Sequence, residues 1–484
     1  MLATPQGSQQ SDSPSPAAAA RNIVVFVADD HGQDAGAYGH PVVRTPNLDA
    51  LAADGVLFRH AFATTASCSA SRSVILSGLH NHRTAQYGHE HDYSHFRSYD
   101  NLRTLPMLLR EAGYRTARIG KFHVAPESAY PFEQVLPGNG RSPVEMADTA
   151  RAVMTPQDGR PFFLYFATND PHRGGGRAEE LDARPDRFGN VPEGYPGIES
   201  VSYDPADVVV PPWLPDTLAT RAELAQYYQA VSRLDQGLGR LVHLLKEQGV
   251  YERTLIIYLS DHGAAFPGAK TTVYEPGLRS PLIVRHPDAK RRGITSDAMV
   301  SWVDLTPTIL EFAGAEPPVY EQHIGSAQVR QVGDFPDRHG LHGQSFLAFA
   351  QGDEAEGREE VYASHTFHEI QMYYPMRVVR GRKYKLIWNI AHQLPFPFAT
   401  DLWSSGTWQA AWKQGPEARY GQRTVATYVN RPEFELYDLE RDPHESKNLA
   451  DDPKYEGVLA KHKQKLKAFQ SRTSDPWIIK WTYQ

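Results

Sequence analysis

The chain of 484 residues contains one cysteine, Cys68. A single cysteine excludes an internal disulfide, so the cysteine content does not indicate whether the protein works in an oxidising or a reducing compartment. No apolar run approaches the roughly 20 residues of a membrane span, and we predict no transmembrane segment and no membrane partner. The net charge of −7 argues against nucleic-acid binding. Any anionic substrate must therefore be bound by local basic residues.

The chain is longer than a usual single domain, so we expect two. Residues 1–20 are rich in Ser, Pro, Ala and Gln and lack the basic start and apolar core of a signal peptide, which indicates a disordered leader. A periplasmic or secreted location is favoured if a signal was removed. Residues 21–360 are assigned to the first domain and 361–484 to the second, with a charged linker at 350–361.

Apolar, β-branched runs alternate with helical patterns in the first domain, which is typical of a mostly parallel sheet buried on both faces. The strands are predicted at 23–28, 114–119, 161–167, 254–259 and 281–284. Helices are predicted at 46–54, at 102–112, and from a capping box at Thr220 and Glu223 to Gly249. Residues 173–215 have no periodicity and indicate a long loop. In the second domain, segments 378–380, 385–389 and 435–438 and a Lys-rich helix at about 454–470 predict an α+β fold with an antiparallel sheet.

Cys68 precedes an apolar run that Gly78 ends, which predicts a short helix with Cys68 at its N-terminus. The free backbone N–H groups there favour an anion. Arg72 lies one turn further along the same face. Together these features predict an oxyanion pocket, although a small buried cysteine beside a surface arginine is the simpler interpretation of this motif alone.

Polar side chains follow four of the predicted strands. The carboxyl ends of parallel strands meet at one crevice, where ligands bind. This arrangement predicts a carboxylate site for a hard cation beside an anion pocket lined by basic and imidazole groups. The side chains are Asp29, Asp30, Lys121, His123, Asp170, His172, Asp261 and His262.

The segment Cys68-Ser-Ala-Ser-Arg72 resembles the sulfatase signature Cys-x-Pro/Ala-x-Arg, whose cysteine is oxidised to formylglycine. The resemblance extends over nearly the whole chain from residue 21. It implies a large, mostly parallel sheet sandwiched by helices, a smaller C-terminal α+β domain, and a hydrolase of the alkaline-phosphatase-like superfamily. The other matching motifs, in the family's order, are Asp29-Asp30, Gly120-Lys121-Phe-His123, Asp170-Pro-His172 and Ser-Asp261-His262-Gly263.

The resemblance implies a Ca²⁺ ion and a formylglycine derived from Cys68 by a formylglycine-generating maturation enzyme. Histidine is a poor ligand for Ca²⁺, and His262 is alternatively a hydrogen-bond donor to the sulfate. The implied metal ligands are Asp29, Asp30, Asp261, His262 and an oxygen of residue 68.

The same resemblance implies catalytic roles. One hydroxyl of the hydrated formylglycine at residue 68 attacks sulfur with the help of Asp261. Arg72 holds this hydrate and orients residue 68. Lys121 and Lys270 neutralise the sulfuryl oxygens. His172 protonates the leaving group. His123 takes a proton from the second hydroxyl of the hydrate, and sulfate then departs.

Three stretches, 87–100, 170–173 and 368–377, are similar to the family members that remove N-sulfo groups from glucosamine. They imply a sulfated glucosamine oligosaccharide of heparin or heparan sulfate as substrate, cleaved at a terminal N-sulfoglucosamine. The implied substrate-binding residues are His91, Asp92, Asp170, Arg173, Glu369 and Arg377.

Other interpretations stay open. They are an O-sulfatase of another sugar, a phosphonate or phosphodiester hydrolase of the same superfamily, and a non-catalytic binder of sulfated glycans with unmodified Cys68. Glu369 and Arg377 could equally form a surface ion pair on the second domain. The sequence does not decide whether the protein forms a homodimer. Five histidines fit no common zinc spacing and are expected to contact sugar or solvent; they are His80, His82, His89, His91 and His95.

Overall fold

The computed structural model describes residues 21–155, 158–174, 186–320, 324, 339–354 and 357–482. The predicted leader at 1–20 lies outside these residues. Within the described part of the chain, no helix has the length and apolar character needed to cross a membrane.

The first sheet has eight strands in the order β4-β3-β5-β1-β6-β7-β2-β8. All neighbouring pairs are parallel except those of β7, which is antiparallel to β6 and to β2. This confirms the predicted mostly parallel sheet. The strands are β1 Asn22–Ala28, β2 Val56–Phe62, β3 Arg115–Gly120, β4 Gln134–Leu136, β5 Phe162–Ala167, β6 Thr254–Ser260, β7 Leu282–Arg285 and β8 Ile294–Ser301.

Helices cover both faces of this sheet, because alternate side chains of each central strand point to opposite faces. Val25 of β1 packs in the core with α2, α4, α8 and α9, whereas Phe26 packs in the core with α1, α5 and α6. The helices are α1 Pro46–Ala53, α2 Cys68–Ser77, α3 Asn81–Thr84, α4 Leu105–Glu111, α5 Pro143–Met154, α6 Leu218–Glu247, α7 Glu275–Leu278, α8 Leu305–Ala313 and α9 Leu347–Ala350.

The second sheet is antiparallel, with the order β14-β11-β10-β9, and confirms the predicted α+β character of the C-terminal part. The Lys-rich helix α13 packs Leu466 and Phe469 against it. A further core joins this sheet to α6 and to the segment after β6, so C-terminal loops reach the carboxyl edge of the large sheet. The elements are β9 Glu360–His365, β10 Met376–Gly381, β11 Tyr384–Asn389, α10 Thr400–Trp403, α11 Gly406–Trp412, β12 Arg419–Tyr420, β13 Arg423–Thr424, α12 Val425–Val429, β14 Phe434–Asp438 and α13 Glu456–Arg472.

Helix α6 begins at Leu218, three residues earlier than a predicted N-cap at Thr220 implies. Thr217 is the N-cap, and its side chain accepts a hydrogen bond from the Thr220 backbone N–H at 3.1 Å. The predicted capping box at Thr220 is wrong, because Glu223 is bound instead by Arg173 and Thr407. Residues 186–215 contain no helix or strand, as predicted, and 175–185 lie outside the described part.

Candidate functional site

A cavity of about 1120 Å³ opens at the carboxyl ends of β3 and β5. Segments that follow the strands of the large sheet form one wall. The opposite wall comes from the C-terminal part of the chain. Its lining includes Lys121, His172, Lys270, Glu369 and Asp401. The cavity is therefore shared by the two parts of the chain.

Cys68 is the first residue of α2 and is fully buried. Ser67 before it has extended backbone, and Gly78 ends the helix with a left-handed φ of 68°, which glycine adopts without strain. These observations confirm the predicted helix N-terminus at Cys68. Its Sγ lies 3.6 Å from Asp30 Oδ1 and 3.4 Å from His262 Nε2.

The carboxylates of Asp29, Asp30 and Asp261 lie side by side because β1 and β6 are parallel neighbours in register, with Ala28 opposite Ser260. The Asp30 backbone N–H donates to Asp261 Oδ1 at 3.0 Å. Asp30 has a left-handed φ of 65°, a costly conformation for a non-glycine residue that is frequent at functional sites. The pairing of the two strands therefore builds a buried acidic cluster.

Arg72 and Lys121 bind the Asp29 and Asp261 carboxylates of this cluster. Arg72 donates from Nη2 to Asp29 Oδ1 and from Nε to Asp261 Oδ2, both at 3.1 Å. Lys121 Nζ lies 2.6 Å from Asp29 Oδ2. Burial opposes ionisation of Asp29, but Lys121 above all holds its pKa well below the usual range, whereas burial raises the pKa of Asp261. Arg72 thus bridges the two carboxylates one turn above Cys68, and its role in holding and orienting residue 68 stays a prediction.

The donor set around Cys68 fits a bound cation. Asp30, Cys68, Asp261 and His262 each offer one ligand atom, and these atoms lie within 4.8 Å of one another. His262 Nδ1 lies 3.1 Å from the Gly263 carbonyl, which places its proton there in the neutral ring. The Nε2 lone pair then faces Asp30 Oδ1 at 3.1 Å. Two acceptors at that separation require a cation or a proton between them.

The Cys68 thiol is itself a weak nucleophile here. Burial raises its pKa well above the usual value, and neighbouring carboxylates raise it further. Because the thiolate is the reactive form of cysteine, a buried neutral thiol among carboxylates is unsuited to attack.

Lys270 joins the acidic cluster to the opposite wall. Its Nζ lies 2.9 Å from Asp30 Oδ2, 2.9 Å from Asp401 Oδ2 and 3.0 Å from His172 Nε2. His172 Nδ1 contacts the Arg173 carbonyl, so Nε2 accepts a hydrogen bond from the lysine. Burial lowers the pKa of His172 to about 4. A protonated lysine therefore donates to a neutral imidazole in the lining of the cavity.

Imidazoles line the rim beside Lys121. The His123 ring is buried, and neither of its nitrogens has a hydrogen-bond partner among the described residues. It stacks on His89 and His91, with ring centroids 4.8 and 4.6 Å away. His123 is thus available to a group bound in the cavity. His80 and His82 are buried against Phe469 and do not line this cavity, so the expectation that they contact sugar or solvent is wrong for both.

The predicted substrate-binding residues divide into two groups. His91, Asp92 and Glu369 line the cavity. Asp170, Arg173 and Arg377 do not, because each is buried in an ion pair. Their partners are Arg141 and Arg233 for Asp170, Glu223 for Arg173, and Asp475 for Arg377. We therefore leave these three residues out of the proposed substrate contacts.

Arg377 and Asp475 are both fully buried, and Arg377 Nη2 donates to Asp475 Oδ1 at 2.8 Å. Arg377→Ala would leave an unpaired buried carboxylate, so we expect the free energy of unfolding to fall by about 3–5 kcal/mol. The substrate KM of the folded fraction should not change. Urea denaturation and steady-state kinetics measure the two quantities. A raised KM at unchanged stability would instead assign Arg377 to substrate binding.

Asp401 is a site residue that the sequence did not indicate. It lies in the short helix α10, far along the chain from every motif, and no spacing relates it to Lys270. Only the packing of the C-terminal part against the large sheet brings the two together. Asn169 and His368 also line the cavity and were not singled out.

Comparison with known proteins gives a consistent pattern. Residues 21–315 match the family model described as Sulfatase. Human N-sulphoglucosamine sulphohydrolase is 39% identical over 474 residues, covering 95% of this chain and 91% of the human protein. An ulvan-active sulfatase from Formosa agariphila is 27% identical over 449 residues, covering 91% of this chain and 78% of its own length.

Solved structures show a similar fold. A putative sulfatase from Bacteroides thetaiotaomicron superimposes with a TM-score of 0.66 at 20% identity, covering 94% of this chain and 93% of its own. A phosphonate monoester hydrolase from Silicibacter pomeroyi gives a TM-score of 0.65 at 18% identity, covering 95% and 96%. At such identities the likeness concerns the fold alone.

Proposed function

Because the chain belongs to the sulfatase family, we propose that it removes the N-sulfo group from terminal N-sulfoglucosamine of heparin or heparan sulfate fragments. The observation that carries this proposal is that Cys68 lies against a buried carboxylate cluster, whose lysine partners Lys121 and Lys270 line a large cavity. The 39% identity to human N-sulphoglucosamine sulphohydrolase supports the choice of substrate.

Two groups complete the proposed site. Asp29, Asp30, Asp261, His262 and residue 68 would hold Ca²⁺, and Cys68 would be the precursor of formylglycine, produced by a maturation enzyme. When present, the formylglycine hydrate supplies an oxygen nucleophile, and Ca²⁺ polarises the sulfuryl oxygens. The raised pKa of the Cys68 thiol supports this proposal, because the unmodified side chain is poorly suited to attack.

The chain's own residues would bind the sulfo group and move the protons. Lys121 and Lys270 bind the Asp29 and Asp30 carboxylates and line the cavity, where their ammonium groups would neutralise the sulfuryl oxygens. The proton that the leaving nitrogen requires would come from the Lys270–His172 pair, in which Lys270 Nζ carries it and donates to His172 Nε2. His123, with both nitrogens unpartnered among the described residues, would accept the proton whose removal releases sulfate.

The shape of the cavity favours a chain end. Glu369, Thr400 and Asp401 of the C-terminal part form a wall of the cavity that Lys121 also lines. This wall would block continuation of the sugar chain on that side, so we propose exo-action. Polar protein groups that pair with sugar hydroxyls discriminate strongly between substrates, because a substrate without those hydroxyls leaves the protein groups without hydrogen-bond partners.

The test is a comparison of sulfate release by the formylglycine-bearing enzyme from N-sulfoglucosamine and from 6-O-sulfo-N-acetylglucosamine. Phosphate or phosphonate release from a phosphodiester and a phosphonate monoester completes the comparison. We expect kcat/KM to be highest on N-sulfoglucosamine. Cleavage of the 6-O-sulfated sugar alone would indicate an O-sulfatase. Preference for the phosphorus substrates would indicate a phosphonate or phosphodiester hydrolase, and binding without release would indicate a glycan-binding protein.

A further inference from the structure

We propose that Asp401 determines the preference of this cavity for N-sulfo over O-sulfo groups. Its carboxylate stabilises the positive charge that develops on nitrogen as the sulfo group is removed. This inference rests on the proposed function and deepens it. The residue lies in α10, outside the sulfatase family match at 21–315.

The carboxylate of Asp401 is held by two contacts. Its Oδ2 lies 2.9 Å from Lys270 Nζ, and its Oδ1 accepts a hydrogen bond from the Leu402 backbone N–H at 2.9 Å. Lys270 Nζ in turn lies 3.0 Å from His172 Nε2. The side chain of Asp401 is 24% exposed and forms part of the cavity wall. The carboxylate is therefore one side chain away from the group that would protonate the leaving atom.

A carboxylate at this position disfavours the binding of a substrate group that carries only negative charge. The sulfo group is negative, and Lys270 would bind it better without a competing acceptor on its other side. Asp30 already provides Lys270 with one carboxylate partner at 2.9 Å. A second carboxylate in the wall is useful when the substrate also brings a cationic centre next to the sulfo group.

N-sulfo and O-sulfo groups differ in this respect. Hydrolysis of a sulfamate, R–NH–SO₃⁻ + H₂O → R–NH₃⁺ + SO₄²⁻, breaks the S–N bond, returns its electron pair to nitrogen and adds two protons there. Hydrolysis of a sulfate ester, R–O–SO₃⁻ + H₂O → R–OH + SO₄²⁻ + H⁺, leaves a neutral alcohol. Only the first reaction creates a cation at the leaving atom, where an anionic side chain stabilises it.

Glu369 holds Asp401 in place. Its Oε1 accepts from the Thr400 backbone N–H at 3.1 Å, and its Oε2 accepts from Thr400 Oγ1 at 3.0 Å. Thr400 immediately precedes Asp401 at the start of α10. Glu369 is thus a positioning residue for Asp401, and Glu369→Gln should change selectivity in the same direction, by a smaller factor.

The test compares two sugars that differ only in the leaving atom, N-sulfoglucosamine and glucose 2-sulfate. In Asp401→Asn, which keeps the size of the side chain, we expect kcat/KM on N-sulfoglucosamine to fall roughly 100-fold. The fall on glucose 2-sulfate should be at least tenfold smaller. Equal losses on both sugars would show that Asp401 only positions Lys270 and would overturn the proposal. Asp451→Asn, which removes an exposed carboxylate outside the cavity, is the control and should change neither value.

A second measurement needs no variant. Glucosamine should inhibit the wild-type enzyme at least about tenfold more strongly than glucose, because only its ammonium group pairs with Asp401. Equal inhibition by the two sugars would overturn the proposal, even if Asp401→Asn fails to fold. Failure of the proposed function has a different signature, since the wild-type enzyme would then not release sulfate from N-sulfoglucosamine.

Discussion

Cys68→Ala is expected to lose turnover on N-sulfoglucosamine by a factor on the order of 10⁴ or more, because loss of a nucleophile removes the reaction's first step. Alanine cannot be oxidised to an aldehyde, and the helix N-terminus, Arg72 and both lysines stay in place. Sulfate release measured by ion chromatography over hours gives the residual rate. Substrate binding should persist, since the groups that bind the sulfo group are unchanged.

The fold provides the control for this prediction. Cys68 has a small, fully buried side chain, and α2 is stabilised mainly by Val74, Ile75 and Leu76 in the core. We therefore expect the thermal midpoint of Cys68→Ala to stay close to that of the wild type. Cys68→Ser should be equally inactive if oxidation requires the thiol. Wild-type turnover by Cys68→Ala would refute a catalytic role of residue 68.

Removal of the metal is expected to have the second largest effect. Asp29, Asp30 and Asp261 form one buried cluster, which Arg72, Lys121 and Lys270 balance only in part, since the pKa of Asp261 stays raised by burial. Exhaustive chelation should therefore lower activity at least about 100-fold and lower the thermal midpoint, and added Ca²⁺ should restore both. Asp261→Asn should lose activity and no longer respond to Ca²⁺.

Asp235 offers a matched control for Asp261. It is also a buried aspartate of the large domain, but its carboxylate accepts hydrogen bonds from Asn47 and Leu48 at the start of α1. Asp235→Asn should reduce stability while the response to Ca²⁺ remains. Unchanged activity and an unchanged thermal midpoint after chelation would contradict a metal site at the three carboxylates.

The central strands and the Cys68 helix were predictable because their signals are local. β1 and β6 are continuous apolar runs that stop at aspartates, and such runs are typical of strands buried on both faces. β2 and β8 were missed, because Arg59 and Asp297 interrupt their apolar pattern. The convergence of Asp30 and Asp261 followed from parallel strands ending at one edge, whereas the place of Cys68 beside them was implied by the family resemblance.

The distant contacts were not predictable from local pattern. Asp170 and Arg173 stand next to His172 in the chain, yet their side chains pair with Arg233 and Glu223 of α6. Proximity in sequence placed them near the site, but the direction of each side chain depends on tertiary partners. Asp401 shows the reverse case, because it has no motif and yet contacts Lys270.

The mass of the tryptic peptide 60–72, from protein purified from its native host and assayed for sulfate release, tests the central claim most directly. Residue 68 is the only cysteine in the chain, so its chemical state is read without ambiguity. We predict an aldehyde at residue 68, in a fraction that rises and falls with specific activity across preparations. Full activity in protein whose residue 68 is entirely an unmodified thiol would contradict the account.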